Sequence, residues 1–185
     1  MCGIIGVNVK DRKGLVDSIR LIYENQKNRG RNGAGISIHR KGGKLLRLRS
    51  TEPKRIFNKR ILKLIKNGDK VLLHHRIPTS SENKAIYNHP LSNEDYTIHL
   101  IHNGILSNYK ELKEKLQGHR FETLDKKTGN FTDSEILIHL IEEGLKKGLD
   151  IVEALNYMHK KALGSYAIAF SIKKLNKIFL FRNAY

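Results

Sequence analysis

Met1-Cys2-Gly3-Ile4-Ile5-Gly6-Val7-Asn8-Val9 places a cysteine directly behind the initiator methionine and ahead of an apolar run, residues 4–9, that reads as a short buried strand. Cysteine is small enough for removal of that methionine to be expected, which would leave Cys2 as residue one with a free α-amine. An unperturbed α-amine has a pKa of ~7.7–8.0 and a thiol ~8.5, so the amine can take the thiol proton near neutral pH. One residue would then supply both nucleophile and base. The alternative for Cys2 taken alone is a buried small hydrophobe, the common state of free cysteines.

Outward from this strand the chain alternates strand-like and helix-like pieces. Leu15, Ile19 and Ile22 recur at helical spacing up to the Arg29-Gly30 break, and residues 34–39 and 44–48 form a hairpin pattern around Gly42-Gly43. Residues 53–65 carry Ile56, Ile61, Leu62 and Ile65 on one helical side, and 71–73 begin a strand ending in His74-His75-Arg76. A turn-rich stretch, 78–90, precedes a strand at 97–101 that runs into His102-Asn103-Gly104, after which Ser107 is placed to cap a helix through Leu116. Helices at 133–145 and 151–163 and strands at 166–172 and 177–181 complete the pattern. Strands and helices are grouped rather than strictly alternating, which favours layered antiparallel sheets over a doubly wound parallel sheet.

The 185 residues suffice for one domain. With 39% hydrophobic and 29% charged residues and 3 prolines the composition is that of a folded, soluble chain. No apolar run approaches the ~20 residues of a membrane span. No basic region precedes the first apolar stretch, so a cytoplasmic location is expected. The 1 cysteine excludes an internal disulfide and any multi-cysteine metal site. His74 and His75 are neighbours on a strand and face opposite sides, so no metal is expected there or elsewhere. The net charge of +17 raises nucleic acid as a partner, but the lysines are spread over several segments without interleaved aromatics, so solvated basic faces are the favoured explanation.

Seven segments fall in one order: Met-Cys-Gly-Ile-Ile-Gly at 1–6, Asn-Arg-Gly-Arg-Asn-Gly-Ala-Gly at 28–35, His-His-Arg-Ile-Pro-Thr at 74–79, Asn-His-Pro at 88–90, His-Asn-Gly-Ile-Leu-Ser-Asn at 102–108, Thr-Asp-Ser-Glu at 132–135 and Gly-Ser-Tyr-Ala at 164–167. In these segments, which are spread along the chain from residue 1 to residue 167, it resembles the class II glutamine amidotransferases, of the glucosamine-6-phosphate synthase or amidophosphoribosyltransferase type. The resemblance implies the α+β, four-layer αββα sandwich of the N-terminal-nucleophile hydrolases and hydrolysis of glutamine through a Cys2 thioester, without a cofactor. By resemblance, Asn103 (side-chain amide) and Gly104 (backbone N–H) hold the tetrahedral oxyanion, Arg76 with Thr79 takes the α-carboxylate, Asp133 takes the α-ammonium, and His89 lies on a loop closing over glutamine. Arg29 and Gly30 support the seat of Cys2. Each has a plainer reading: Asn103-Gly104 as a turn pair, Arg76 as a surface arginine, Thr132 to Glu135 as a helix cap, and His89 as a loop histidine packed on Pro90.

The chain departs from the family pattern at Asn32, Ile77 and Ser80, and residues 124–131 look inserted. Family members continue beyond the last strand into an acceptor or synthase domain. The expectation is therefore a short glutaminase domain over 1–185 that passes ammonia to a separate synthase or acceptor protein. The competing reading is a degenerate domain kept as a binding or regulatory module.

Overall fold

The opening strand, β1 (Gly3–Asn8), pairs antiparallel with β4 (Lys70–Arg76), Gly3 standing opposite His75. In the computed structural model, which describes residues 2–77 and 82–183, β4 also pairs with β2 (Gly33–His39), and β3 (Leu45–Ser50) completes a sheet of order β1-β4-β2-β3. The β2–β3 pair is the hairpin read from Gly42-Gly43. A second antiparallel sheet has the order β5-β6-β7-β8, formed by β5 (Leu91–Ser92), β6 (Ile98–Leu106), β7 (Gly164–Ile172) and β8 (Lys177–Arg182).

Both faces of β4 are buried, and its period of two sends alternate residues to different layers. Leu72 joins Ile101 and Ala169 of the other sheet, with Ile4 and Ile178 against them, in the seam between the sheets. Val71 and Leu73 face the other way, into a core with Ile19 and Tyr23 of α1 (Leu15–Gln26). The second sheet is covered by α5 (Ser134–Lys146) and α6 (Ile151–Lys161), through Ile136, Leu140, Leu155 and Met158 against Leu100, Ile168 and Phe170. The layers run helix, sheet, sheet, helix, the four-layer αββα sandwich expected. No helix among the described residues is long and apolar enough to cross a membrane.

Local expectations fail where a polar side chain finds a different partner. The helix expected over 53–65 is two short ones, α2 (Pro53–Ile56) and α3 (Lys59–Leu62). Asn58 breaks it: its backbone is extended and its side chain accepts from Ile61 N at 2.9 Å, capping a new start. Ile56, Leu62 and Ile65 still bury in one cluster. Ser107 does not cap a helix; its hydroxyl donates to Leu163 O at 3.1 Å. The helix there, α4 (Tyr109–Lys115), starts after Asn108, whose amide donates to Lys161 O at 2.8 Å and accepts from Leu163 N at 3.0 Å. Residues 124–131 form a turn closed by Asp125 N to Asn130 O and Gly129 N to Asp125 O, each 2.8 Å.

Candidate active site

Cys2, His74 and Arg76 of β4, His102, Asn103 and Gly104 of β6, and Asp133 at the start of α5 line a single cavity of about 540 Å³. The sheets bring them together: β1 seats Cys2 beside the end of β4, and β6 crosses from the other sheet. Alternation along β4 puts His74 and Arg76 on the cavity side. His75 points to the helix layer, its ring edge-on to Tyr23 at 5.4 Å and its Nδ1 3.3 Å from Gly30 O, so the two adjacent histidines do face opposite sides.

The Cys2 backbone carbonyl is gripped twice, by Asn103 Nδ2 at 2.9 Å and by Arg29 Nε at 3.4 Å. Its Sγ lies 3.8 Å from Ile77 O. Gly30 packs directly on β4: a Cβ there would stand 2.5 Å from the His75 carbonyl carbon. Arg29 thus touches the Cys2 backbone, while Gly30 packs on the end of β4.

Asn103 and Gly104 are not a turn; both lie within β6, paired opposite Ala167 and Tyr166. Because Asn103 directs its amide N–H at Cys2, its Oδ1 is the acceptor toward His74 Nε2 at 3.2 Å, so His74 carries its proton on Nε2. His89 Nδ1 lies 3.4 Å from the same nitrogen, with the two rings edge-to-face at 4.5 Å. Burial pushes the His74 pKa down to about 3, and burial likewise lowers His89 and His102, so all three rings are neutral at pH 7. Gly104 has φ 142°, and a Cβ would collide with Ser165 O, so only glycine fits at this crossing.

Asp133 does not cap its own helix through its side chain, so the plainer reading of Thr132 to Glu135 as a helix cap does not hold for this residue. Its Oδ2 instead accepts from Leu106 N at 2.8 Å, which ties α5 to the end of β6, and Oδ1 accepts from Ser134 Oγ at 3.3 Å. Glu135 turns away to accept from Thr123 N at 2.9 Å. Arg76 is buried rather than on the surface; its Nη1 donates to Asn88 Oδ1 at 3.5 Å. Burial lowers the Arg76 pKa, opposed by the nearby Cys2 and Asp133. Thr79 lies outside the described residues. His89, expected on a closing loop, is buried against His74.

His74 and His102 are not singled out for this site by the sequence. Both occur inside the quoted segments, and period-two alternation from Arg76 is the signal that places His74 on the cavity side. His102 Nδ1 lies 2.7 Å from Ser134 Oγ and joins β6 to the start of α5.

A family model described as a glutamine amidotransferase domain matches residues 74–185. Among curated proteins, the glutamine–fructose-6-phosphate aminotransferase (isomerizing) of Sulfurisphaera tokodaii is 32% identical over 183 residues, covering 97% of this chain and 30% of that protein. The enzyme of the same name from Thermus thermophilus is 35% identical over 178 residues, covering 91% of this chain and 26% of its own. The chain thus spans under a third of the length of these relatives. In fold it is similar to the glutamine phosphoribosylpyrophosphate amidotransferase of B. subtilis, with a TM-score of 0.68 and 21% identity over 94% of this chain and 35% of that one. With a family match over more than half its length and the two-sheet sandwich around Cys2, the chain belongs to the class II glutamine amidotransferase domain family.

Proposed function

We propose that this domain hydrolyses the side-chain amide of L-glutamine to glutamate and ammonia, with Cys2 as nucleophile once Met1 is removed. The observation that carries this is the convergence of Cys2, Asn103, Gly104, Arg76 and Asp133 on one cavity, of a size suited to a small ligand. The α-amine of Cys2 takes the thiol proton, and the thiolate attacks the side-chain carbonyl carbon of glutamine. The second N–H of the Asn103 amide and the Gly104 backbone N–H receive the developing oxyanion. The α-ammonium returns the proton to the leaving nitrogen, ammonia departs, and water cleaves the γ-glutamyl thioester to glutamate and free thiol.

His74 acts through Asn103 as a positioning residue: its Nε2–H holds Oδ1, which aims the amide toward Cys2. Arg76 takes the α-carboxylate and Asp133 the α-ammonium, with Thr79 beside them and His89 holding His74. These two opposite charges in one cavity suit an amino acid better than a simple amide.

The ammonia goes to an acceptor or synthase unit. In the relatives the matched part is a minority of a longer chain, which supports a partner unit of that kind. Glutamate release from glutamine by Met1-free protein, by protein retaining Met1 and by Cys2→Ala tests the proposal. Only the first should turn over. Equal rates in all three would remove Cys2 from the chemistry, and no turnover in any would leave a binding module.

A further inference from the structure

We propose that a second site, on the α5 side of the molecule and separate from the cavity at Cys2, binds one divalent transition-metal ion of the zinc type through Glu94, His119, His139 and Glu142. Their candidate ligand atoms all lie within 4.8 Å of one another. They come from three segments: the turn between β5 and β6, the stretch after α4, and α5, where His139 and Glu142 share a face at i,i+3. This departs from the sequence-based expectation of no metal, which weighed only neighbouring histidines; ligands from three segments carry no short spacing to read.

Each histidine Nδ1 stands close to both carboxylates, with Glu94 turning a different oxygen to each ring, so closure on one ion needs only a small rotation of Glu94. His119 Nδ1 stands 3.3 Å from Glu94 Oε1 and 3.4 Å from Glu142 Oε2; His139 Nδ1 stands 3.4 Å from Glu94 Oε2 and 3.3 Å from Glu142 Oε2. Four ligands at the ~2.0–2.1 Å of zinc–nitrogen and zinc–oxygen bonds in a tetrahedron are separated by about 3.3–3.4 Å. His119 Nδ1 nevertheless has no hydrogen-bond partner among the described residues, although its side chain is only 7% exposed. Glu94 Oε2 likewise lacks a hydrogen-bond donor among the described residues.

Glu142 carries outer partners of the kind that orient metal ligands. Glu142 Oε1 is held from outside by Asn93 Nδ2 at 3.1 Å and Lys146 Nζ at 3.0 Å, leaving Oε2 toward the histidines. The far nitrogen of His139, Nε2, faces the buried carboxylate of Glu135 at 3.7 Å, without a hydrogen bond. Two carboxylates neutralise a divalent cation, and a nitrogen–oxygen donor set with a closed shell suits a structural ion rather than a catalytic one. Bound there, it would tie two loops to the helix whose first turn adjoins Asp133.

The test uses tag-free Cys2→Ala protein, so that the cysteine thiolate cannot contribute. After chelator treatment, zinc is added and metal content, calorimetric stoichiometry and thermal midpoint are measured; cobalt(II) reports geometry through its d–d bands. The expected result is one zinc per chain, a midpoint raised by about 5–10 °C at a hundredfold excess over Kd, and loss of both in His119→Ala and in the near-isosteric Glu142→Gln. Absence of stoichiometric binding to the protein with all four residues intact would overturn the site without recourse to any variant. Binding that survives both substitutions would overturn it equally.

Discussion

Replacing Asn103 with alanine separates the chemistry of the site from its architecture. The substitution removes an amide that donates to Cys2 O at 2.9 Å and accepts from His74 Nε2 at 3.2 Å. As the side-chain donor to the oxyanion, its loss should lower kcat by ~10²–10³, about 2.7–4 kcal/mol of transition-state stabilisation. The structural cost is smaller, because Arg29 Nε still reaches Cys2 O and His89 Nδ1 remains within 3.4 Å of His74 Nε2. Partial satisfaction of that kind puts the stability loss at about 1–2 kcal/mol, near the lower end of the range for a buried polar group that loses its partner. Steady-state glutamate release, alongside urea unfolding of the same preparation, separates the two effects. A kcat within about threefold of the parent, or a defect confined to KM, would refute the oxyanion role and make Asn103 a recognition residue.

Arg76→Ala should cost about 30-fold or more in kcat/KM, as expected for removing one partner of a desolvated charged contact. It should also narrow the preference for glutamine over an analogue lacking the α-carboxylate; an unchanged ratio would make Arg76 structural. Acid should destabilise the fold: burial holds His74 at about 3, below the ~6.5 of the unfolded chain, so its contribution is complete above about pH 6.5 and is lost as pH falls toward 3. That single ring accounts for about 1 kcal/mol between about pH 6.5 and about 5.5, and His39, held at about 4 by burial, adds in the same direction. A urea midpoint that stays constant over this interval would contradict neutral buried rings.

The layered fold is legible in the sequence because its signals are periodic and local: the opening apolar strand, the glycine hairpin at 42–43 and the helical spacing in α5 and α6 each point to their own element. Asn58 and Ser107 escape such a reading because a cap depends on which backbone group the side chain meets. For Asn58 the partner is local but starts a new helix; for Ser107 it is Leu163, on a distant segment. The same is true of Asp133, whose carboxylate meets Leu106 rather than its own helix. At the site, residue types and order are readable, but connectivity is not. Nothing in the string Asn103-Gly104 says that the amide reaches Cys2 or that His74 holds it. The buried His74–His89 pair and the Glu94–His119–His139–Glu142 cluster arise from segments that only the folded topology brings together.

Cys2 as the attacking group can be tested by covalent trapping. Met1-free protein is mixed with a glutamine analogue bearing an electrophile at the γ-position, and the modified residue is located by peptide mass spectrometry. A single adduct should form at Cys2, its formation slowed by glutamine and weakened in Arg76→Ala. Labelling elsewhere, or Cys2 labelling that glutamine leaves unaffected, would contradict a glutamine site built around this cysteine.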